Sequence, residues 1–156
     1  MNVYEAVQSR RSVRAFLDRP VDPATLRRVL EAAARAPSGG NLQPWRLFVL
    51  SGEPLAALKT RMRERLREAP NGEPAEYAVY PPELWEPYRS VRFEVGEQLY
   101  ALMGVSRDNK AGRRRSFERN YEFFGAPTAL FCYVDRGMGP PQWSDLGMYL
   151  QTVMLL

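Results

Sequence analysis

The chain has 156 residues, 45% of them hydrophobic and 26% charged, with a formal net charge of +4 and no histidine. That is the length of one ordinary domain with a globular composition, and no apolar run reaches the roughly 18 residues of a membrane span. Without histidine, Ser-His-Asp and Cys-His catalysis, His general bases and most zinc sites are excluded. The lone cysteine, Cys132, excludes an internal disulfide or thiolate cluster and favours a reducing, cytoplasmic setting. Met1–Glu5 lack the basic-then-apolar pattern of a secretory signal. An enzyme of this composition is expected to leave its chemistry to a bound cofactor.

In chain order, the first predicted element is a short helix over 3–9, with Asn2 as cap and Glu5 three residues on as its capping-box partner. Arg10-Arg11-Ser12-Val13-Arg14 follows at once. Its guanidiniums are planar, permanently charged donors suited to bidentate phosphate recognition, and the hydroxyl adds a neutral donor. Taken alone, the cluster reads equally as a solvated basic turn. Asp22-Pro23 signals a capped helix with proline at its first position. It is predicted to run to about Ala36, with Leu26, Val29, Leu30 and Ala33 on one face. Pro37 stops it, and Ser38-Gly39-Gly40-Asn41 makes a turn.

Trp45–Leu50 reads as a buried strand ended by Ser51-Gly52. A very basic amphipathic helix over 54–68 puts Leu55, Leu58, Met62 and Leu66 inward and Arg61, Arg63, Arg65 and Arg67 mostly outward. Residues 69–87 are rich in proline and carry Tyr77, Tyr80 and Trp85, the pattern of a long insertion or lid. Helices are predicted over 88–106 and 110–123. A strand over 128–134 reads as buried on both faces, with Cys132 as plain core. A loop at 137–141 precedes a last helix starting near Trp143, with Ser144 and Asp145 in its first turn. That helix stays apolar through Leu156 with no stop signal, so the chain reads as C-terminally truncated.

The second informative stretch is Pro37-Ser38-Gly39-Gly40-Asn41-Leu42-Gln43-Pro44-Trp45. Its glycines permit close backbone approach to a flat ligand, while Ser38, Asn41 and Gln43 offer donors and acceptors suited to the polar edge of a heterocycle. A plain helix-to-strand turn would use the same residues. Together, Arg10–Phe16 and Pro37–Trp45 at this spacing resemble the nitroreductase family of FMN-dependent oxidoreductases. The resemblance extends through Arg46–Leu50, resumes at Asn120–Pro127 and Trp143–Met148, and is weakest over 69–110. The 69–87 insertion and Gly139–Trp143 look most like the branch acting on nitrobenzoates.

The resemblance implies an α+β fold with a central, mostly antiparallel sheet flanked by helices. It implies a single domain over 1–156 with a variable insertion at 69–87, and an intertwined homodimer with FMN at the subunit interface. Arg10, Arg11, Ser12 and Arg14 would hold the FMN phosphate and ribityl chain. Pro37, Ser38, Gly39, Gly40 and Asn41 would meet the flavin ring, usually from the partner subunit. A loop facing flavin N5 and a basic segment completing the phosphate site would follow residue 156. The implied reaction passes two electrons from NAD(P)H through the flavin to a nitroaromatic or quinone by ping-pong kinetics. No side chain need act as acid or base, and no metal is called for. Tyr77, Tyr80, Trp85 and Tyr88 either shape an acceptor pocket or anchor their loop. Two alternatives stand beside this: other flavin chemistry within the family, such as dehalogenation or flavin fragmentation, and a basic anion- or nucleic-acid-binding module built on 61–67 and Arg113-Arg114-Arg115. The second lacks any nucleic-acid-binding signature.

Overall fold

A computed structural model describes residues 2–70 and 72–156. In chain order these form α1 (Val3–Ser9), α2 (Pro23–Ala33), β1 (Arg46–Ser51), α3 (Gly52–Glu68), α4 (Tyr88–Leu102), α5 (Lys110–Glu118), β2 (Thr128–Tyr133) and α6 (Pro140–Leu155), with single 3₁₀ turns at Gly39–Asn41 and Phe123–Gly125. The fold is α+β, and β1 and β2 pair antiparallel from Arg46↔Tyr133 to Ser51↔Thr128. The chain divides into two compact units: Met1–Ala57 with Gly125–Leu156, and Leu58–Phe124.

The first unit contains the core. Tyr149 is 1% exposed, stacks on Trp45 at 4.9 Å and 23°, and donates its hydroxyl to the Leu30 carbonyl at 3.1 Å. Ala33 and Ala36 complete this cluster, and Leu47, Cys132, Leu146, Leu150 and Val153 pack against it. Residues 146, 149, 150 and 153 recur at helical spacing, which turns one stripe of α6 onto the sheet and α2. The strands are not buried on both faces. Leu47 and Cys132 lie on the covered face, whereas Phe48 and Tyr133 stack on each other at 5.4 Å on the other and stay exposed. A two-stranded sheet with its helices on one side covers that side only. Cys132 is accordingly half-buried, and burial pushes its thiol above the ordinary range.

Several predicted boundaries move, each for a local reason. The helix over 22–36 ends at Ala33, and residues 34–36 tighten into 3₁₀-type bonds such as Ala36 N–H to the Ala33 carbonyl at 2.9 Å. Pro37 disfavours helical geometry in the residue before it. The helix over 88–106 ends at Leu102, because Gly104 turns the chain at φ +65°. The helix over 110–123 ends at Glu118, and Phe123, Phe124 and Gly125 all take positive φ. The last helix starts at Pro140 rather than Trp143. Pro140 and Pro141 occupy positions whose N–H groups would lack intrahelical acceptors anyway.

The second unit carries a set of partly exposed ion pairs: Arg63–Glu122 (2.8 Å), Arg113–Glu97 (2.9 Å), Arg114–Glu118 (2.7 Å) and Arg65 with both Glu68 and Glu73. Arg92 lies over the Tyr80 ring at 4.2 Å, and Trp85 meets Tyr88 edge-on at 5.5 Å. Among the described residues no helix is long and apolar enough to cross a membrane.

Candidate functional site

The turn after α2 is the most elaborated piece of backbone in the first unit. Ser38 is extended and opens the 3₁₀ turn Gly39–Asn41, closed by Asn41 N–H to the Ser38 carbonyl at 2.9 Å and Leu42 N–H to the Gly39 carbonyl at 3.2 Å. Gly40, Asn41 and Gln43 all take left-handed φ, at 58°, 56° and 48°. Glycine adopts that region freely and Asn tolerates it, while Gln adopts it only where the surroundings insist. Here side chains supply the insistence. Ser38 Oγ accepts the Gln43 N–H at 2.9 Å, and Gln43 Nε2 donates to Asn41 Oδ1 at 3.0 Å.

The turn is anchored at both ends. Downstream, Pro44 and Trp45 are buried, with Trp45 stacked on Tyr149. Burial raises the Tyr149 phenol above its ordinary value, so it stays a neutral donor. From α6, Asp145 reaches back: the Gly39 N–H donates to its Oδ1 at 3.3 Å. Asp145 is 4% exposed. With α6 starting at Pro140 it sits in the second turn, four residues before Tyr149 on the same face, and not in the first turn as the sequence suggested. The apolar stripe 146-149-150-153, extended one step back, lands on Asp145. That polar residue in a core register was the available signal.

Every one of the residues proposed for the ring side lies on this turn: Pro37, Ser38, Gly39, Gly40 and Asn41. No heavy atom lies within 4 Å of where a Cβ would stand on Gly39 or Gly40, so a flat ligand has open access to that backbone. The residues proposed for the phosphate side lie elsewhere. Arg10 ends α1, Arg14 Nη1 donates to the Ser12 carbonyl at 3.1 Å, and residues 7–24 are exposed without exception. The single chain thus orders the Ser38–Gln43 turn and presents Arg10, Arg11, Ser12 and Arg14 to solvent from a segment outside the core. Many of the arginines on which an anion- or nucleic-acid-binding reading rests are engaged by glutamates within the second unit, Arg63, Arg65, Arg113 and Arg114 among them. Among the described residues no cluster of His, Cys, Asp or Glu could hold a metal ion.

An antiparallel sheet covered on one face by helices, with a glycine-rich turn at a strand entrance, defines an α+β domain. Comparison with known proteins makes this specific: residues 7–156 match the model of the nitroreductase family, and the chain belongs to that family. It is 38% identical over 151 residues to the nitrobenzene nitroreductase of Ectopseudomonas oleovorans, covering 97% of this chain and 66% of that protein. It is also 38% identical over 149 residues to the 4-nitrobenzoate reductase of Pseudomonas putida, covering 96% and 64%. Its length thus spans just under two thirds of these relatives. Among solved structures, the FMN and NADPH-dependent nitroreductase NfnB from Sphigopyxis sp. strain HMH superposes with a TM-score of 0.95 at 53% identity, covering 99% of this chain and 70% of that one.

Proposed function

We propose that this chain forms the flavin-binding part of an FMN-dependent NAD(P)H nitroreductase that reduces a nitroaromatic or quinone acceptor. The observation that carries the reading is the Ser38–Gln43 turn, held in left-handed geometry by its own side chains with both glycines open to a planar ligand. Relatives 38% identical over nearly all of this chain are named as nitrobenzene and 4-nitrobenzoate reductases.

The residues present suit FMN. Pro37, Ser38, Gly39, Gly40 and Asn41 would meet the isoalloxazine ring through backbone and short polar groups. Arg10, Arg11, Ser12 and Arg14 would bind the phosphate and ribityl chain with charge-assisted donors. When bound, FMN supplies the two-electron chemistry that the side chains of this histidine-free chain do not. The protein's part is to bind, orient and place positive charge near developing negative charge.

Because Arg10–Arg14 lie outside the core, closing the site calls for a second chain. Tyr4 is 81% exposed and Leu17 73%, and Val3, Val7, Val13 and Phe16 are exposed on the same N-terminal stretch. Exposed apolar side chains concentrated on one segment suit an interaction surface. A homodimer with the flavin between subunits accounts for both observations.

The test is the visible spectrum of the full-length protein. It is expected to be yellow, to bleach on adding NAD(P)H without oxygen, and to recover on adding nitrobenzoate. A flavin never reduced by NAD(P)H would refute the reaction. Arg10→Ala should weaken FMN binding by about 1–3 kcal/mol, as for a lost charge-assisted hydrogen bond; unchanged affinity would refute the phosphate assignment.

A further inference from the structure

A buried carboxylate behind the glycine turn has no place in the scheme above. Asp145 is 4% exposed, yet its carboxylate makes one hydrogen bond, Gly39 N–H to Oδ1 at 3.3 Å. Oδ2 is buried and has no hydrogen-bond partner among the described residues. Burying a half-satisfied carboxylate is costly, and a core position on α6 would be better filled by Leu or Met on stability grounds alone. The stripe that Asp145 interrupts is otherwise apolar: Leu146, Tyr149, Leu150 and Val153.

What Asp145 touches explains its presence. In the 3₁₀ turn the intrahelical bonds begin at Asn41 and Leu42, so the Gly39 and Gly40 N–H groups precede the first intrahelical bond. Asp145 engages the first of these from within the core. The turn contains two non-glycine residues at positive φ, a conformation that relaxes unless something over-determines it. Ser38 and Gln43 restrain the turn locally, while Asp145 and the Trp45–Tyr149 stack tie it to α6. Tyr149 and Asp145 are one helical turn apart, so α6 holds the two ends of the segment 39–45 at a set separation.

We propose that Asp145 is a positioning residue that clamps the Gly39 end of this turn to α6 and so presets the backbone that meets the flavin ring. The proposal rests on the flavin reading above for the ligand, but the clamp itself is measurable without flavin. In the full-length apoprotein, Asp145→Ala should speed amide exchange at Gly39 by about tenfold or more, while the β1 amides change little, the signature of local rather than global opening. Asp145→Asn keeps an acceptor oxygen in the same place and should restore exchange to within about threefold of wild type. With FMN, the Ala variant should lose about tenfold or more in affinity with its melting temperature for the sheet core retained, and the Asn variant should recover it.

Unchanged Gly39 exchange in Asp145→Ala, or exchange raised equally at β1, overturns the clamp. Faster Gly39 exchange with wild-type FMN affinity overturns its role in presetting the site. If the Ala variant does not fold, the Asn variant decides: Gly39 protection and FMN affinity both near wild type support the clamp, and loss of either overturns it. Wild-type protein that binds no FMN refutes the flavin reading and leaves the exchange comparison to judge the clamp.

Discussion

Tyr149 is where the core and the candidate site meet, and its two halves should separate cleanly by mutation. The ring is 1% exposed and stacked on Trp45 at 4.9 Å; the hydroxyl donates to the Leu30 carbonyl at 3.1 Å. That carbonyl also accepts the Ala34 N–H at 3.2 Å, so removing the hydroxyl leaves it satisfied. Tyr149→Phe should therefore cost about 0.5–1 kcal/mol, the low end for a buried hydrogen bond. Tyr149→Ala removes the ring and opens a cavity beneath Trp45, at about 3–5 kcal/mol. Against a total stability of about 5–15 kcal/mol, that is a large fraction. Urea titration of the full-length protein at one fixed concentration measures both. The Phe variant should keep FMN affinity, and the Ala variant should lose it along with stability, because Trp45 ends the turn. Equal losses from Phe and Ala would refute the division between ring and hydroxyl. An Ala variant within about 1 kcal/mol of wild type would refute the claim that this stack organises the core.

Gly40 and Gly39 should respond differently to alanine. At φ 58° Gly40→Ala strains the backbone by about 1–2 kcal/mol even though nothing crowds the methyl. Gly39→Ala meets neither strain nor neighbours and should change stability by under about 0.5 kcal/mol. On the proposed site both methyls would enter the flavin's space, so thermal melts and FMN titrations together separate strain from occlusion. The Asp22 carboxyl, which accepts from the Thr25 hydroxyl and from the Thr25 and Ala24 N–H groups, is held below its ordinary range. Its folded value being lowered, the cap's contribution is complete above the ordinary carboxylate range and fades as pH falls through the lowered value. Asp22→Asn should keep the cap and flatten that part of the acid stability profile. Burial raises the Cys132 thiol, so iodoacetamide should label the native protein more slowly than the urea-unfolded chain at about pH 8, and the native rate should climb at higher pH than a free cysteine's. Equal rates would refute the burial argument.

Much of this molecule was legible from its residues in order. Local chemistry sets α1 through the Asn2–Glu5 capping box, and the start of α2 through Asp22-Pro23. Periodicity alone placed Leu55, Leu58, Met62 and Leu66 on the inner side of α3, where the structure has them buried or half-buried. The turn over 38–41 was equally readable from its permissive residues, while its assignment to a flavin ring came from the family resemblance and not from the residues alone. The ends of helices were less so. Apolar spacing carried the predicted helix over 88–106, whereas Gly104 at φ +65° turns the backbone and the helix ends at Leu102.

Tertiary structure alone decided which distant residues stand behind that turn. Asp145 is 106 positions from Gly39, and nothing local in either segment announces their hydrogen bond. It follows from the phase of α6, which is set by where Pro140 lets the helix begin and by Tyr149 seeking Trp45. Burial of the strands was likewise a property of what covers them, so Phe48 and Tyr133 face outward here despite their apolar character. Capping, turn chemistry and periodicity act over a few residues and can be read along the chain. Register between a helix and a turn a hundred residues apart depends on the summed packing of everything between them, and only the folded molecule contains that sum.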